Sequence, residues 1–526
     1  MQREFNITGT CIPEKHYMVD ISGKLKEIMV LIEKGNYFTI NRPRQYGKTT
    51  TQFFLEKILE KREDYLIARI SFEGVGDSVF ANEEVFGKKV IEFIADRISA
   101  EEEIRNKLYE SIHNISSINT LSKEITKFCE SIKKKFVLLI DEVDKSSNNQ
   151  LFLSFLGMLR NKYLLRNEGR DSTFHSVILA GVHDVKTLKL KLRPGEEQKY
   201  NSPWNIATDF KVDMSFNPQE ISTMLVDYSK DKKIKMDITK IAERIYHYTS
   251  GYPFLVSKIC KEIDENILPE KERTEWSVKE VERAVKTITL GEESNTNFDS
   301  IIKNIENDSA LGDFVLNLLL GSTEYSFLYN VPLIYNAVTH GIIKNEKGKA
   351  KIHNKIYEEY LTNYFVIKLK TENKSIFSSF DVVQSSYIKP TGKLEIEKVL
   401  LKFQEVIKEK YSQSEALKSD EFLEKELRMR FFCFIQPIMN GIGFAFKEVE
   451  TGEEKRIDVV IIFRDEKFVV ELKLWRGMKY HRQGIKRLKD YMKKEGVKKG
   501  YMLIADKTRH KQFKVEKQEG LMMVWI

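Results

Sequence analysis

Two stretches of the chain combine residue types at spacings that can do chemistry. In YFTINRPRQYGKTTT (37–51), an apolar run leads through a loop into Gly47, Lys48, Thr49 and Thr50, which open a helical pattern. A loop and helix start of this kind aim N–H groups at an anion, and the helix dipole favours negative charge there. Lys48 then reaches the β- and γ-phosphates of a nucleotide, and the Thr49 hydroxyl coordinates Mg²⁺. Arg42 stands where the usual GxxxxGK[ST] pattern has its first glycine. The second half of such a site is FVLLIDEVD (136–144), an apolar strand that closes on two carboxylates. Asp141 would hold Mg²⁺ through water, and Glu142 would polarise the attacking water. A third strand, SVILAGVHDV, ends in His183 and Asp184. Either could sense the γ-phosphate, or simply cap the strand.

The second stretch lies near the C-terminus, where RIDVVIIF (456–463) and FVVELKLW (468–475) are separated by four residues. A symmetric hairpin pairing Arg464 with Lys467 sets Asp458 opposite Lys473. Glu471 then lies diagonally on the same face, because strand side chains repeat every two residues. Converging oxygen ligands suit Mg²⁺ or Mn²⁺. The metal would activate water and neutralise an in-line phosphoryl transition state, with Lys473 stabilising charge or orienting the nucleophile. The alternative is a cross-strand salt bridge on a solvated face. Against it, both strands are apolar on both faces, which marks burial on both sides, and charges inside such strands need a partner or a metal.

These residues need elements to position them. Apolar, β-rich runs at 37–41, 66–72, 136–141 and 176–181 alternate with helical patterns such as 48–60 and 151–165, the signature of a parallel sheet flanked by helices. From Asn217 the pattern turns helical, and Gly251–Tyr252–Pro253 punctuates it. Helices followed by GIIKNEKGKAKIHN suggest a winged-helix module. The expected organisation is α/β and multidomain: a P-loop core at 1–215, a helical lid at 216–290, a winged-helix-like module at 291–372, a polar linker at 373–391, and a C-terminal α/β domain at 392–526.

With these motifs in order, residues 5–215 resemble the AAA-ATPase-like family, with relatives among archaeal-type and STAND P-loop ATPases. The similarity rests on ITGTCIPEKHYMVDIS, NRPRQYGKTTT, ISFEG, LLIDEVDKS, LAGVHDVKTL and SPWNIATDF. That family also carries arginine at the position of Arg42. The resemblance implies phosphate contacts from Arg42 and Arg44, and a lid GxP motif, here Gly251 and Pro253, approaching the nucleotide. It also implies an oligomer with an arginine acting in trans, for which Arg193 is a candidate. The C-terminal D-(x)12-ExK pattern resembles the PD-(D/E)xK nuclease superfamily, with its restriction-endonuclease-like fold. That resemblance makes Asp458, Glu471 and the Leu472 carbonyl metal ligands and Lys473 catalytic. Glu426 would be an additional acid from the preceding helix. A family QxxxY arrangement is met by Tyr491, but Arg487 occupies the Gln position, and Gln483, one turn earlier, is the substitute for positioning water.

Charge and composition fit this picture. Lys and Arg total 86 against 78 Asp and Glu, a net +8. Residues 476–499 alone hold ten Lys or Arg against Asp490 and Glu495, so the excess is concentrated beside the second constellation. A basic helix there is a plausible track for a phosphate backbone. The 4 cysteines form no CxxC pair, which argues against a disulfide scaffold and a Cys-based zinc finger. With no long apolar run, a soluble cytoplasmic protein is expected. The expected function is an ATPase whose nucleotide gates or positions a Mg²⁺- or Mn²⁺-dependent nuclease on DNA, possibly in defence against foreign DNA. Two alternatives are a nucleotide-switched DNA-binding protein with an inactive nuclease fold, and a STAND-like signalling scaffold.

Overall fold

The computed structural model describes residues 3–143, 150–182, 189–190, 199–200, 204, 206–271, 275–290, 295–320, 324–372, 384–411, 420–439, 443–448, 457–464, 466–494, 496–506 and 513–526. They fall into two compact units, residues 1–281 with 338–341, and residues 282–337 with 342–526. Among the described residues no helix is long and apolar enough to cross a membrane.

The first unit is built on a parallel sheet. Its strands are β1 (Phe38–Asn41), β2 (Tyr65–Ser71), β3 (Lys135–Asp141) and β4 (Ser176–Gly181), in the order β1-β4-β3-β2. Each lies within a residue or so of its expected position. Helix α1 (Ser22–Glu33) precedes β1, and the crossovers run through α2 (Lys48–Glu60), α3 (Glu83–Arg97), α4 (Glu102–Ser111), α5 (Ile118–Ser131) and α6 (Gln150–Asn167). Phe136 through Ile140 are all nearly inaccessible, as expected of a strand covered on both faces.

The helical segment follows as α7 (Pro218–Lys232), α8 (Ile238–Thr249), α9 (Pro253–Glu262) and α10 (Val278–Leu290). Asn217 and Glu220 form a capping box at the start of α7, with Pro218 as the first helical residue. The N-terminal segment is tied to these helices. Tyr17 donates to Asp231, the Asp20 N–H donates to Thr223, and the Phe5, Tyr17 and Tyr228 rings meet in tilted and edge-on contacts at centroid distances of 4.9–5.1 Å.

In the second unit, α11 (Thr296–Asn307), α12 (Ser309–Leu320) and α13 (Pro332–Thr339) precede the hairpin β5 (Ile343–Glu346) and β6 (Lys349–Ile352), then α14 (Lys355–Glu372). An isolated antiparallel bridge joins Ser326 to Lys349 at the edge of the hairpin. Beyond it come α15 (Ile396–Tyr411), α16 (Asp420–Met439) and a six-stranded mixed sheet. The strands are β7 (Gly443–Glu448), β8 (Ile457–Phe463), β9 (Glu466–Leu474), β10 (Gly500–Ala505), β11 (Val515–Gln518) and β12 (Leu521–Trp525), in the order β7-β8-β9-β10-β12-β11. β9, β10 and β12 run parallel, and α17 (Met478–Lys494) joins β9 to β10. Leu488, Tyr491 and Met492 of α17 pack on Val460, Val469, Met502 and Met523.

Two expectations about organisation change. Residues 384–391 do not behave as linker: Tyr387 is buried, Gln384 donates to the Ile438 carbonyl, and Ile388 bridges Leu394. The winged-helix-like segment belongs to the same compact unit as the C-terminal sheet. There the buried Arg428 of α16 donates to the Leu320 carbonyl at the end of α12, a favourable place for a cation.

The turn before α9 is held without slack. Gly251 has φ +74°, and its carbonyl accepts from the Phe216 N–H at 2.8 Å. A Cβ there would lie 2.0 Å from the Phe216 carbonyl oxygen. Gly251→Ala is therefore expected to destabilise the first unit by about 2 kcal/mol or more. The check is the thermal unfolding of the full chain, in which an unchanged midpoint would contradict this packing.

Candidate functional site

The loop after β1 closes on Gly47, whose φ of +79° lets the chain turn into α2 at Lys48. No acidic residue occupies the first turn of α2, so the positive end of its dipole stays available to an anion. Lys48 folds back over its own loop and donates to the carbonyls of Arg42 (2.9 Å) and Pro43 (2.8 Å). Thr49 shares a cavity of about 640 Å³ with Asp141 and Glu142, and Arg69, Ser71 and Glu73 also line it. The parallel register sets Ser71 directly beside Asp141.

Asp141 is 6% exposed, and its Oδ1 accepts the Glu142 N–H at 3.0 Å. Glu142 itself has φ +55°. A left-handed conformation costs a side-chain-bearing residue about 1–2 kcal/mol, so the chain bends sharply, at a cost, where the second carboxylate must face the cavity. Oxygen donors from Thr49 and Asp141 on one wall fit Mg²⁺ chemistry.

The remaining residues of this constellation are placed as follows. Arg42 donates to the carbonyls of Asn41 (2.8 Å) and Val212 (2.7 Å) and lies 5.1 Å over the Phe210 ring. These contacts brace the base of the loop. Arg44 is exposed. The Thr50 hydroxyl accepts the Cys11 N–H at 3.1 Å, pinning the N-terminal segment to α2. Gly251 and Pro253 flank a residue that sequence reasoning passed over. Tyr252 donates to the Arg44 carbonyl at 2.6 Å and meets Tyr46 edge-on at 4.6 Å, so the turn grips the phosphate loop itself. The aromatic residue between glycine and proline was the available signal. His183, Asp184 and Arg193 lie outside the described residues. The strand that leads to His183 and Asp184, β4, lies between β1 and β3.

The second constellation sits on β8 and β9. Phe463 pairs with Glu466 and Val459 with Val470, so the strands reverse one residue earlier than expected, just after Phe463. Arg464, at φ +52°, adopts the left-handed backbone that tight two-residue turns require. Every partner consequently moves by two positions. Continuing the register by one residue sets Asp458 across from Glu471, with Lys473 diagonal. Glu471 and Lys473, two residues apart on β9, share one face of it.

Glu471 is 0% exposed, and its Oε1 lies 3.0 Å from the Nζ of Lys473, itself 9% exposed. The pair is buried, not a bridge on a solvated face. Gly484 of α17 rests on the lysine stem: a Cβ there would lie 3.6 Å from its Cε and 3.7 Å from its Cγ. Gln483 is exposed, Arg487 half-buried, and Tyr491 packs in the sheet-facing core. Leu472, between the two charged residues, buries its side chain. Asp458 belongs to β8 and Glu426 to α16, but their side chains lie outside the described residues. Among the described residues no three His, Cys, Asp or Glu gather as a metal site. A buried carboxylate such as Glu471 is a donor of the kind a hard divalent cation takes. Lys479, Arg482, Lys486, Lys489 and Lys493 line the exposed side of α17.

Comparison with known proteins bears on the first constellation. No curated protein matches the chain. Among solved structures it is similar to a Walker-type ATPase of Pyrococcus abyssi, at 13% identity and TM-score 0.45 over 68% of this chain and 99% of that one. It is also similar to the RuvB Holliday junction branch migration motor of Thermotoga maritima, at 13% identity and TM-score 0.35 over 65% and 94%. The ORC1 protein of Aeropyrum pernix, in complex with DNA, is similar at 13% identity and TM-score 0.32 over 67% and 94%. The family model for the AAA-like domain matches residues 15–363, more than half of the sequence, and the chain, with its phosphate loop on a parallel sheet, belongs to that family of P-loop ATPases.

Proposed function

We propose that the chain couples ATP hydrolysis in its first unit to metal-dependent cleavage of DNA phosphodiester bonds by the C-terminal sheet of its second. The observation that carries the second half is the buried Glu471–Lys473 pair; continuing the β8–β9 register by one residue would set Asp458 across from Glu471. Like charges facing each other across strands repel, and a carboxylate in an apolar layer needs a cation. Lys473 supplies one positive charge. Asp458, Glu471 and the Leu472 carbonyl would hold Mg²⁺ or Mn²⁺, with Glu426 as a further acid. When bound, such an ion activates a water and offsets charge on the phosphoryl group. The Lys473 ammonium, held by Glu471, would donate to a phosphate oxygen or to the nucleophile, and Gln483 would help position water. The exposed lysines and arginines of α17 would follow the DNA backbone.

In the first unit, Lys48 would exchange its two carbonyl partners for phosphate oxygens, with Thr49 and Asp141 holding Mg²⁺ and Glu142 orienting the attacking water. Gly47, Thr50, Gly251 and Pro253 shape the loop around the nucleotide, and His183 or Asp184 would report its γ-phosphate. A homo-oligomer in the cytoplasm, acting against foreign DNA, is the setting that suits this pairing.

Two expected outcomes test the proposal. Lys48→Ala should abolish ATP binding, while Glu142→Gln should keep binding but slow hydrolysis by about a hundredfold or more, read by phosphate release; undiminished turnover in Glu142→Gln would remove its assigned role. Plasmid cleavage with Mg²⁺ or Mn²⁺ should vanish in Asp458→Ala and change in Lys48→Ala. Absence of cleavage in the wild type, with ATP still hydrolysed, would favour the nucleotide-switched binding protein, a reading for which Arg487 in place of a glutamine speaks.

A further inference from the structure

The strand that carries Glu471 and Lys473 ends in a group of aromatic rings that the cleavage chemistry above does not use. Trp475 follows β9 directly, and its N–H donates to the Ala505 carbonyl at 2.8 Å, fixing the backbone at the end of the parallel ladder. Its ring centroid lies 4.9 Å from that of Trp525 and 5.4 Å from that of His481, and His481 lies 5.8 Å from Trp525. Trp525 is buried and backs the other two, whereas Trp475, His481 and the neighbouring Tyr480 each keep part of their surface open.

Cations accompany the rings. The Nζ of Lys473 and the guanidinium of Arg476 lie 5.5 and 5.7 Å from the Tyr480 centroid, and the Nζ of Lys514 lies 4.6 Å from that of Trp525. Burial lowers the pKa of His481, which keeps its imidazole neutral and suited to stacking. The group stands where β9, β10 and β12 all reach their carboxyl ends, the edge at which parallel sheets take ligands. Half-open aromatic faces interleaved with cations are the composition of surfaces that bind single-stranded nucleic acid, because every base presents a π-face and the backbone presents charge. In an intact duplex those base faces are already stacked and out of reach.

We propose that Trp475, with His481 and Tyr480 beside it, stacks an unpaired base of a DNA strand whose backbone enters the Glu471–Lys473 site, so that the preferred substrate is single-stranded or frayed-end DNA. This rests on the reading of the second unit as DNA-cleaving. The test separates the two by measuring binding of the full chain in EDTA, where no cleavage occurs, and cleavage separately with Mn²⁺. The probes are a labelled oligo-dT of about 16 nucleotides, a blunt duplex of equal length and an oligo-rU. The wild type should bind oligo-dT more tightly than the duplex, with tryptophan fluorescence quenched. Trp475→Ala should lose about ten- to hundredfold in oligo-dT affinity, the value of stacking one base, with little change for the duplex. Trp475→Phe should keep most of the affinity, which distinguishes a lost ring from a misfolded unit. Oligo-dT affinity within about twofold of wild type in Trp475→Ala, or preference of the wild type for duplex or for oligo-rU, would overturn the platform whether or not the protein cleaves. Ring-dependent oligo-dT binding without Mn²⁺-dependent cleavage would leave the platform standing and remove the nuclease.

Discussion

Burying a carboxylate inside a sheet that is apolar on both faces is the constraint around which both units are arranged. Asp141 closes a strand whose preceding five residues are inaccessible, and Glu471 lies between Val470 and Leu472, neither of which touches solvent. Removing such a charge from water costs several kcal/mol unless a cation stands against it. In the second unit that cation is built in, as Lys473 at 3.0 Å. In the first, the carboxylate opens onto a cavity shared with Thr49, where a Mg²⁺–nucleotide would bring the charge. The sheets, the covering helices and the loop ends therefore hold carboxylates where a facing positive charge offsets the cost of burying them.

Much of this was legible in the residues themselves. Apolar runs ending in Asp141–Glu142 or Gly181, the helix opening at Lys48, and the capping box at Asn217 are local patterns. Local patterns survive into the fold because the backbone hydrogen bonds and side-chain periodicities that create them are short-range. What escaped was decided at long range. Val212 and Phe210, some 170 residues away, engage the Arg42 guanidinium, and no local pattern announces it. The hairpin register depended on which residue would accept a left-handed backbone, and Arg464 is not a residue that announces it. Residues 384–391 look like linker because their polar composition hides one buried tyrosine and one carbonyl-seeking glutamine, Tyr387 and Gln384.

Domain organisation shows the same division between pattern and packing. Composition alone separates a winged-helix-like segment from a C-terminal α/β domain, with polar residues between them. Packing within the second unit joins them: Arg428 of α16 is buried to 1% and reaches the carbonyl end of α12. A guanidinium hidden so deeply needs acceptors, and the end of α12 supplies one of them. Loosening one part therefore strips the other of its charge compensation.

Gly484 carries a consequence for the chemistry of the lysine beneath it. Its missing side chain lets the α17 backbone settle on the Lys473 stem, and an added methyl would meet the Cγ and Cε at ordinary van der Waals distance, 3.6–3.7 Å. An alanine is thus the largest residue that the layer accepts unmoved. Anything bulkier would act as a shim, lifting the helix and admitting water around the ammonium. The packing of that stem, and with it the 3.0 Å contact of its ammonium with Glu471, is consequently tied to the thickness of a neighbouring helix.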